Sequence, residues 1–133
     1  MCSSDLRPLH VLVAEDNPVN QRVAVRLLER RGYTVVVADD GRAAVERATL
    51  ERFDLVLMDV QMPVMDGLEA TRLLRAGGLT TLPIIAVTAH AMQGDRERCL
   101  DAGTDDYVSK PIRSESLYSA IDRVIAERDR RAA

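Results

Sequence analysis

The stretch 54-DLVLMDVQMPVMDG-67 limits what this chain can fold into more than any other. The apolar, partly β-branched run from Leu55 to Met58 stops abruptly on Asp59. A short loop through Pro63 follows, and Asp66-Gly67 opens a helical pattern. A fully apolar strand fits a sheet covered on both faces. The tips of such strands, in open α/β sheets, are where the chemistry is placed. Asp59 is therefore the candidate reactive carboxylate, and the remaining segments are read for what they bring to it.

Strand-like and helix-like segments alternate five times along the chain. Residues 1–8 form a polar lead-in. Leu9 to Ala14 reads as a strand that runs into Glu15-Asp16-Asn17-Pro18, with Asn17 as N-cap and Pro18 as first helical residue. Val19, Val23, Leu27 and Leu28 follow at helical spacing until Gly32. Tyr33 to Ala38 is the second strand, and Asp40 caps a helix with Ala43, Ala44, Ala48 and Leu50 on its apolar side. Asp54 to Met58 is the third strand, and Asp66 to about Ala76 the third helix, closed by Gly77-Gly78. Pro83 to Val87 is the fourth strand and closes on Thr88; a helix from about Met92 to Ala102 stops at Gly103. Asp105 to Ser109 is a short fifth strand ending at Lys110-Pro111, and a last helix from about Ser114 to Arg128 carries Leu117, Ile121, Val124 and Ile125. This order predicts an α/β sandwich of three layers around five parallel strands. The folded unit spans residues 9–128, after a lead-in of residues 1–8, and 129–133 are a tail or the start of a linker.

All strands of a parallel sheet end on one edge. That rim collects Glu15 and Asp16 from strand one, Asp59 from strand three, Thr88 from strand four and Lys110 from strand five. Lys and Arg total 18, yet Lys110 is the only lysine. Three carboxylates crowded together repel one another unless a cation joins them. A hard divalent ion with oxygen ligands, Mg²⁺, suits one or two carboxylates plus phosphate oxygens. A carboxylate nucleophile, a metal, an ammonium and a hydroxyl together make a set for phosphoryl transfer. Asp39-Asp40 shares the rim but reads better as helix capping. Asp105-Asp106 begins its strand and so lies on the opposite edge. His10 reads as structural or exposed rather than catalytic, and Cys99 as packing on or beside its helix. Cys2 and Cys99 lack the spacing of a disulfide framework or a zinc site.

The motifs Glu15-Asp16, DVQMPVMDG, Thr88-Ala89 and Lys110-Pro111, in that order, resemble the receiver domain of two-component response regulators. The likeness runs from about Leu9 to Ala126. It implies a doubly wound, flavodoxin-like sheet in strand order 2-1-3-4-5 with five helices. Carried over residue by residue, it makes Asp59 the phosphoacceptor. Asp16, Asp59 and the backbone carbonyl of Gln61 become Mg²⁺ ligands, with Glu15 helping through water. Lys110 neutralises the phosphoryl group, and its bond to Pro111 is expected to be cis. Thr88 and Tyr107 form the conformational switch. Gln61 and His90 tune dephosphorylation, while the small Ala89 leaves the site open to a donor histidine. The implied partner is a histidine kinase or a histidine phosphotransfer domain. The domain would catalyse its own phosphotransfer and autodephosphorylation, and helix four, strand five and helix five are the candidate face for a dimer, whose formation the sequence leaves open.

Composition agrees with a single domain: 133 residues, 47% hydrophobic, net charge −3 and no tryptophan. Nothing marks a nucleic-acid surface, a signal peptide or a membrane span, so the cytoplasm is the expected compartment. A haloacid-dehalogenase-type phosphatase would carry a second Asp two positions after the first, where Gln61 stands. An FMN binder would need a Ser/Thr/Gly-rich loop in place of EDNPVN. A non-phosphorylated binding module of the same fold would be expected to lack Asp59 or Lys110. The wording of MDVQMPVMDGLEATR and VTAHAMQGDRERCLDAGTDDYVSKPI favours a receiver from a hybrid sensor histidine kinase over a freestanding single-domain regulator.

Overall fold

A computed structural model describes residues 9–62, 64–89 and 93–132, with the side chains of all of these except 93–96 and 131–132. Pro63, His90 and Met92, and with them the rate-tuning role read for His90, lie outside the described residues, as do Cys2 and the rest of the lead-in.

The chain alternates β1 (His10–Ala14), α1 (Pro18–Arg30), β2 (Thr34–Ala38), α2 (Gly41–Leu50), β3 (Leu55–Asp59), α3 (Gly67–Ala76), β4 (Ile84–Thr88), α4 (Gln93–Ala102), β5 (Asp106–Ser109) and α5 (Ser114–Ala132). The strands form one parallel sheet in the order β2-β1-β3-β4-β5. Local chemistry sets the helix starts. Asn17, Asp40 and Asp66 each accept the backbone N–H of a residue in the following turn, and Pro18 takes the first helical position.

Two apolar layers sandwich the sheet. On one face Val11, Val13, Leu55, Leu57, Ile85 and Val87 pack beneath Ala24 and Leu28 of α1 and Leu117, Ile121 and Val124 of α5. On the other, Leu12, Val56, Met58 and Ile84 meet Ala44 and Ala48 of α2 and Ala70 and Leu74 of α3. A smaller cluster of Leu68, Ala86, Cys99 and Ala102 seats α4, with Tyr107 packed against it. The central strands β3 and β4 are buried at every position, which explains their unbroken apolar runs.

Several sequence-level assignments need correction. Val19 and Val23 are 65% and 37% exposed, and Ala24 with Leu28 forms the buried stripe of α1 instead. Leu50 is 85% exposed at the last turn of α2 and takes no part in its apolar side. Asp54 precedes β3; one of its oxygens accepts the N–H of His10 at 2.9 Å. The last helix runs past Arg128 to Ala132, and Arg128 is tied to the carbonyl and carboxylate of Asp54, both at 3.3 Å. His10 is structural as expected: it stacks on Phe53 at 4.6 Å and bonds Thr34 and Glu51 through its ring nitrogens.

Candidate functional site

Because β1, β3, β4 and β5 are in register, their C-terminal ends bring Glu15, Asp59, Thr88 and Lys110 to one edge. Ala14 pairs with Met58, Asp59 with Val87, and Thr88 with Ser109. Two main-chain bonds extend this order one residue further: Val60 N–H donates to Val87 O at 2.9 Å and Lys110 N–H to Thr88 O at 2.8 Å. The bond between Lys110 and Pro111 is cis.

Asp59 is buried, 2% exposed. The Lys110 ammonium donates to its Oδ2 at 2.9 Å, and the Gln61 N–H donates to its Oδ1 at 3.1 Å. Lys110 also lies 3.4 Å from Glu15 Oε1. Glu15 is itself buried at 3% exposure, and its other oxygen accepts the Asn17 N–H at 3.1 Å. Asp16 is exposed beside them, and one carboxylate oxygen from each of Glu15, Asp16 and Asp59 lies within 4.8 Å of the others. That donor set is all hard oxygen with one open side, which fits a small divalent cation better than a soft or transition metal.

Burial first, and then the hydrogen bond to Asp59, push the Glu15 carboxyl up to about 7; the Asn17 N–H and the charge of Lys110 only partly oppose them. Lys110 is held above its ordinary value. Burial works against its charge, but the hydrogen bond and charge of Asp59, joined by Glu15, outweigh that. The Glu15 shift carries a sign. Between pH 4.5 and about 7 the metal-free folded protein holds a proton on Glu15 that the unfolded chain has lost. Its stability relative to a Glu15→Gln protein is therefore expected to fall as pH rises through that window, and to stay level below and above it. Urea denaturation of both proteins in chelator at stepped pH measures this; a difference independent of pH rules it out.

Thr88 is buried and Tyr107 half-buried, on the adjoining strands β4 and β5. Ala89 and Gln61 are exposed at the mouth of the site. Asp40 caps α2, as read from the sequence, whereas Asp39 accepts the Gln21 side-chain amide at 2.9 Å. Asp105 and Asp106 stay away from the rim and pair with Arg75 and Arg123. In the loop after β3, Val64 holds φ at 70°, uncommon for a β-branched residue.

Two contributors escape the sequence reading. Gly67 leaves no room for a side chain: a Cβ there would sit 2.1 Å from the Asp59 carbonyl oxygen. Its position directly after the capping Asp66, where glycine is a poor helix former, was the available signal. Gln21 gave none, because its partner Asp39 lies on a different loop.

A model of the response regulator receiver domain matches residues 11–122. The chain is 45% identical over 132 residues to hybrid signal transduction histidine kinase I of Dictyostelium discoideum, covering 93% of this chain and 8% of that protein. It is 46% identical over 114 residues to the signal transduction histidine-protein kinase BarA of Escherichia coli K12, covering 85% of this chain and 12% of that one. It thus spans a small fraction of the length of these relatives. The receiver domain of sensor histidine kinase PA1611 from Pseudomonas aeruginosa PAO1, solved with magnesium in its active-site cleft, superposes with a TM-score of 0.83. Identity there is 45%, over 90% of this chain and 99% of that one. The co-crystal structure of the Saccharomyces cerevisiae histidine phosphotransfer protein Ypd1 and the receiver domain of Ssk1 matches with a TM-score of 0.79, 29% identity and 84% coverage of each chain.

Proposed function

The chain belongs to the response regulator receiver family of two-component phosphorelays, and from that premise we propose that Asp59 is its phosphoacceptor, with Mg²⁺ held by Asp16, Asp59 and the Gln61 carbonyl. Receivers interact with histidine kinases or phosphotransfer proteins, as the Ypd1 complex illustrates. The donor proposed here is a phosphohistidine on such a domain. One observation carries the reading: a buried carboxylate at a strand tip is paired at 2.9 Å with the chain's only lysine, beside two further acids.

An oxygen of Asp59 attacks the phosphorus, the O–P bond forms as the N–P bond breaks, and the bonding electron pair leaves with the histidine nitrogen. Lys110 offers a fixed ammonium to the transferred group. The Gln61 N–H, bonded to Oδ1, orients the carboxylate. Mg²⁺, when bound, neutralises phosphoryl charge. Positioning and charge neutralisation do most of the work in such transfers. Thr88 then offers its hydroxyl to the acyl phosphate and Tyr107 follows it inward, biasing a pre-existing two-state equilibrium over α4, β5 and α5. That same surface is the proposed dimer face. Gln61, Ala89 and His90 set access and the hydrolysis rate. The identities to hybrid kinases favour a receiver segment of such a kinase, residues 9–128, working on the cytoplasmic side of its membrane. No helix among the described residues is long and apolar enough to cross one.

Incubation with acetyl phosphate, with and without Mg²⁺, followed by intact mass and hydroxylamine treatment tests this. A single Mg²⁺-dependent, hydroxylamine-labile phosphoryl group is expected. A folded protein left unmodified both by acetyl phosphate and by a phosphorylated histidine phosphotransfer protein would act as a binding module instead.

A further inference from the structure

We propose that Gln21 is a positioning residue for the cation site, setting where Asp16 stands before any cation arrives. This rests on the function proposed above. Asp16 lies between two carbonyls, and Gln21 takes both. Its side-chain amide donates to the Glu15 carbonyl at 2.5 Å, and its backbone N–H donates to the Asn17 carbonyl at 2.9 Å. The same amide nitrogen also donates to Asp39 Oδ1 at 2.9 Å, so its two protons bridge the β1–α1 and β2–α2 loops.

The consequence is mechanical. The Glu15 N–H is held by the Ala38 carbonyl at 3.0 Å, and the Gln21 amide holds its C=O. The peptide planes on both sides of Glu15 are thereby held, and the one that leads into Asp16 is held through its carbonyl by Gln21. Asp16 is exposed, and no hydrogen bond among the described residues orients its carboxylate. Its aim toward Asp59 therefore comes from backbone placement, which the Gln21 amide braces at the Glu15 carbonyl. Groups that orient a metal's ligands typically contribute 10- to 100-fold to its affinity.

The test is Mg²⁺ affinity by titration calorimetry of the whole protein, with melting of the metal-free form alongside. Gln21→Ala is expected to weaken Mg²⁺ about tenfold while the metal-free melting temperature holds. Asp39 separates bridging from charge: Asp39→Asn keeps an acceptor oxygen and should bind Mg²⁺ nearly as the parent does, whereas Asp39→Ala should weaken it as Gln21→Ala does. Parental affinity in Gln21→Ala overturns the proposal. So does equal weakening in both Asp39 variants, which would assign the effect to charge, or a melting temperature that falls in step with affinity, which would make Gln21 merely structural. A parent protein that takes up no Mg²⁺ overturns the proposed function and this inference together.

Discussion

Asp59→Asn is expected to abolish Mg²⁺-dependent labelling by acetyl phosphate while leaving the protein folded. Asparagine matches the shape of aspartate but has no anionic oxygen to attack phosphorus. The surroundings tolerate the exchange unevenly. Asp59 now satisfies two donors with two oxygens, Lys110 on Oδ2 and the Gln61 N–H on Oδ1. Asparagine has one acceptor oxygen, so one of these bonds is lost, at a cost of about 1–3 kcal/mol. Removing a carboxylate from beside Glu15 works the other way, because both the hydrogen bond and the charge of Asp59 raise the Glu15 carboxyl. Net stability is expected to stay within about 1 kcal/mol of the parent. Intact mass and a urea melt on the same sample measure both quantities. Labelling of the variant at the parental rate would move the phosphoacceptor to another residue, with Asp16 and Glu15 the first to map.

How far the site was legible follows from what kind of signal each residue leaves. Asp59, Thr88 and Lys110 stand where apolar runs end, so strand topology alone gathers them. Glu15 and Asp16 follow β1 for the same reason. Side-chain period misled at α1. Val19, Val23 and Leu27 are four residues apart, and a row of that spacing drifts around a helix of 3.6 residues per turn. The helix meets the sheet through small Ala24 and through Leu28, leaving Val19 at the solvent edge. At Leu50 the apolar pattern runs on into the last turn of α2, where the side chain meets solvent rather than the sheet. The end of α5 at Ala132 is accompanied by a pairing of Arg128 with Asp54, 74 residues earlier, which no local pattern encodes. Gln21 is hidden for the same reason: an amide on an exposed-looking helix becomes a brace only once two loops are brought beside it.

Gly67→Ala is expected to be the most damaging single-methyl change near the site, costing about 3 kcal/mol of stability or more and slowing labelling of Asp59. The added Cβ would lie 2.1 Å from the Asp59 carbonyl oxygen, 2.8 Å from its carbonyl carbon and 2.9 Å from Met58 Cγ. Two of those three neighbours are backbone at the end of a fully buried strand, so no side-chain rotation relieves the contact. Moving α3 away instead strains the bond from the Gly67 N–H to the Val60 carbonyl at 2.9 Å, which seats the helix on the strand end. Yielding of the strand end shifts Asp59 itself, and moving α3 pulls on Val60 next to it, so stability and labelling should fall together. Gly32→Ala is the matched control. Gly32 has φ of 82° and nothing within 4 Å of an added Cβ, so alanine there meets only the left-handed backbone penalty, about 1–2 kcal/mol. It lies at the opposite end of α1 from the rim, and labelling of that variant should match the parent once both are folded. Equal stability losses in the two variants, or parental labelling by Gly67→Ala, would show that the strand end yields easily and that close packing beneath Asp59 does not place its carboxylate.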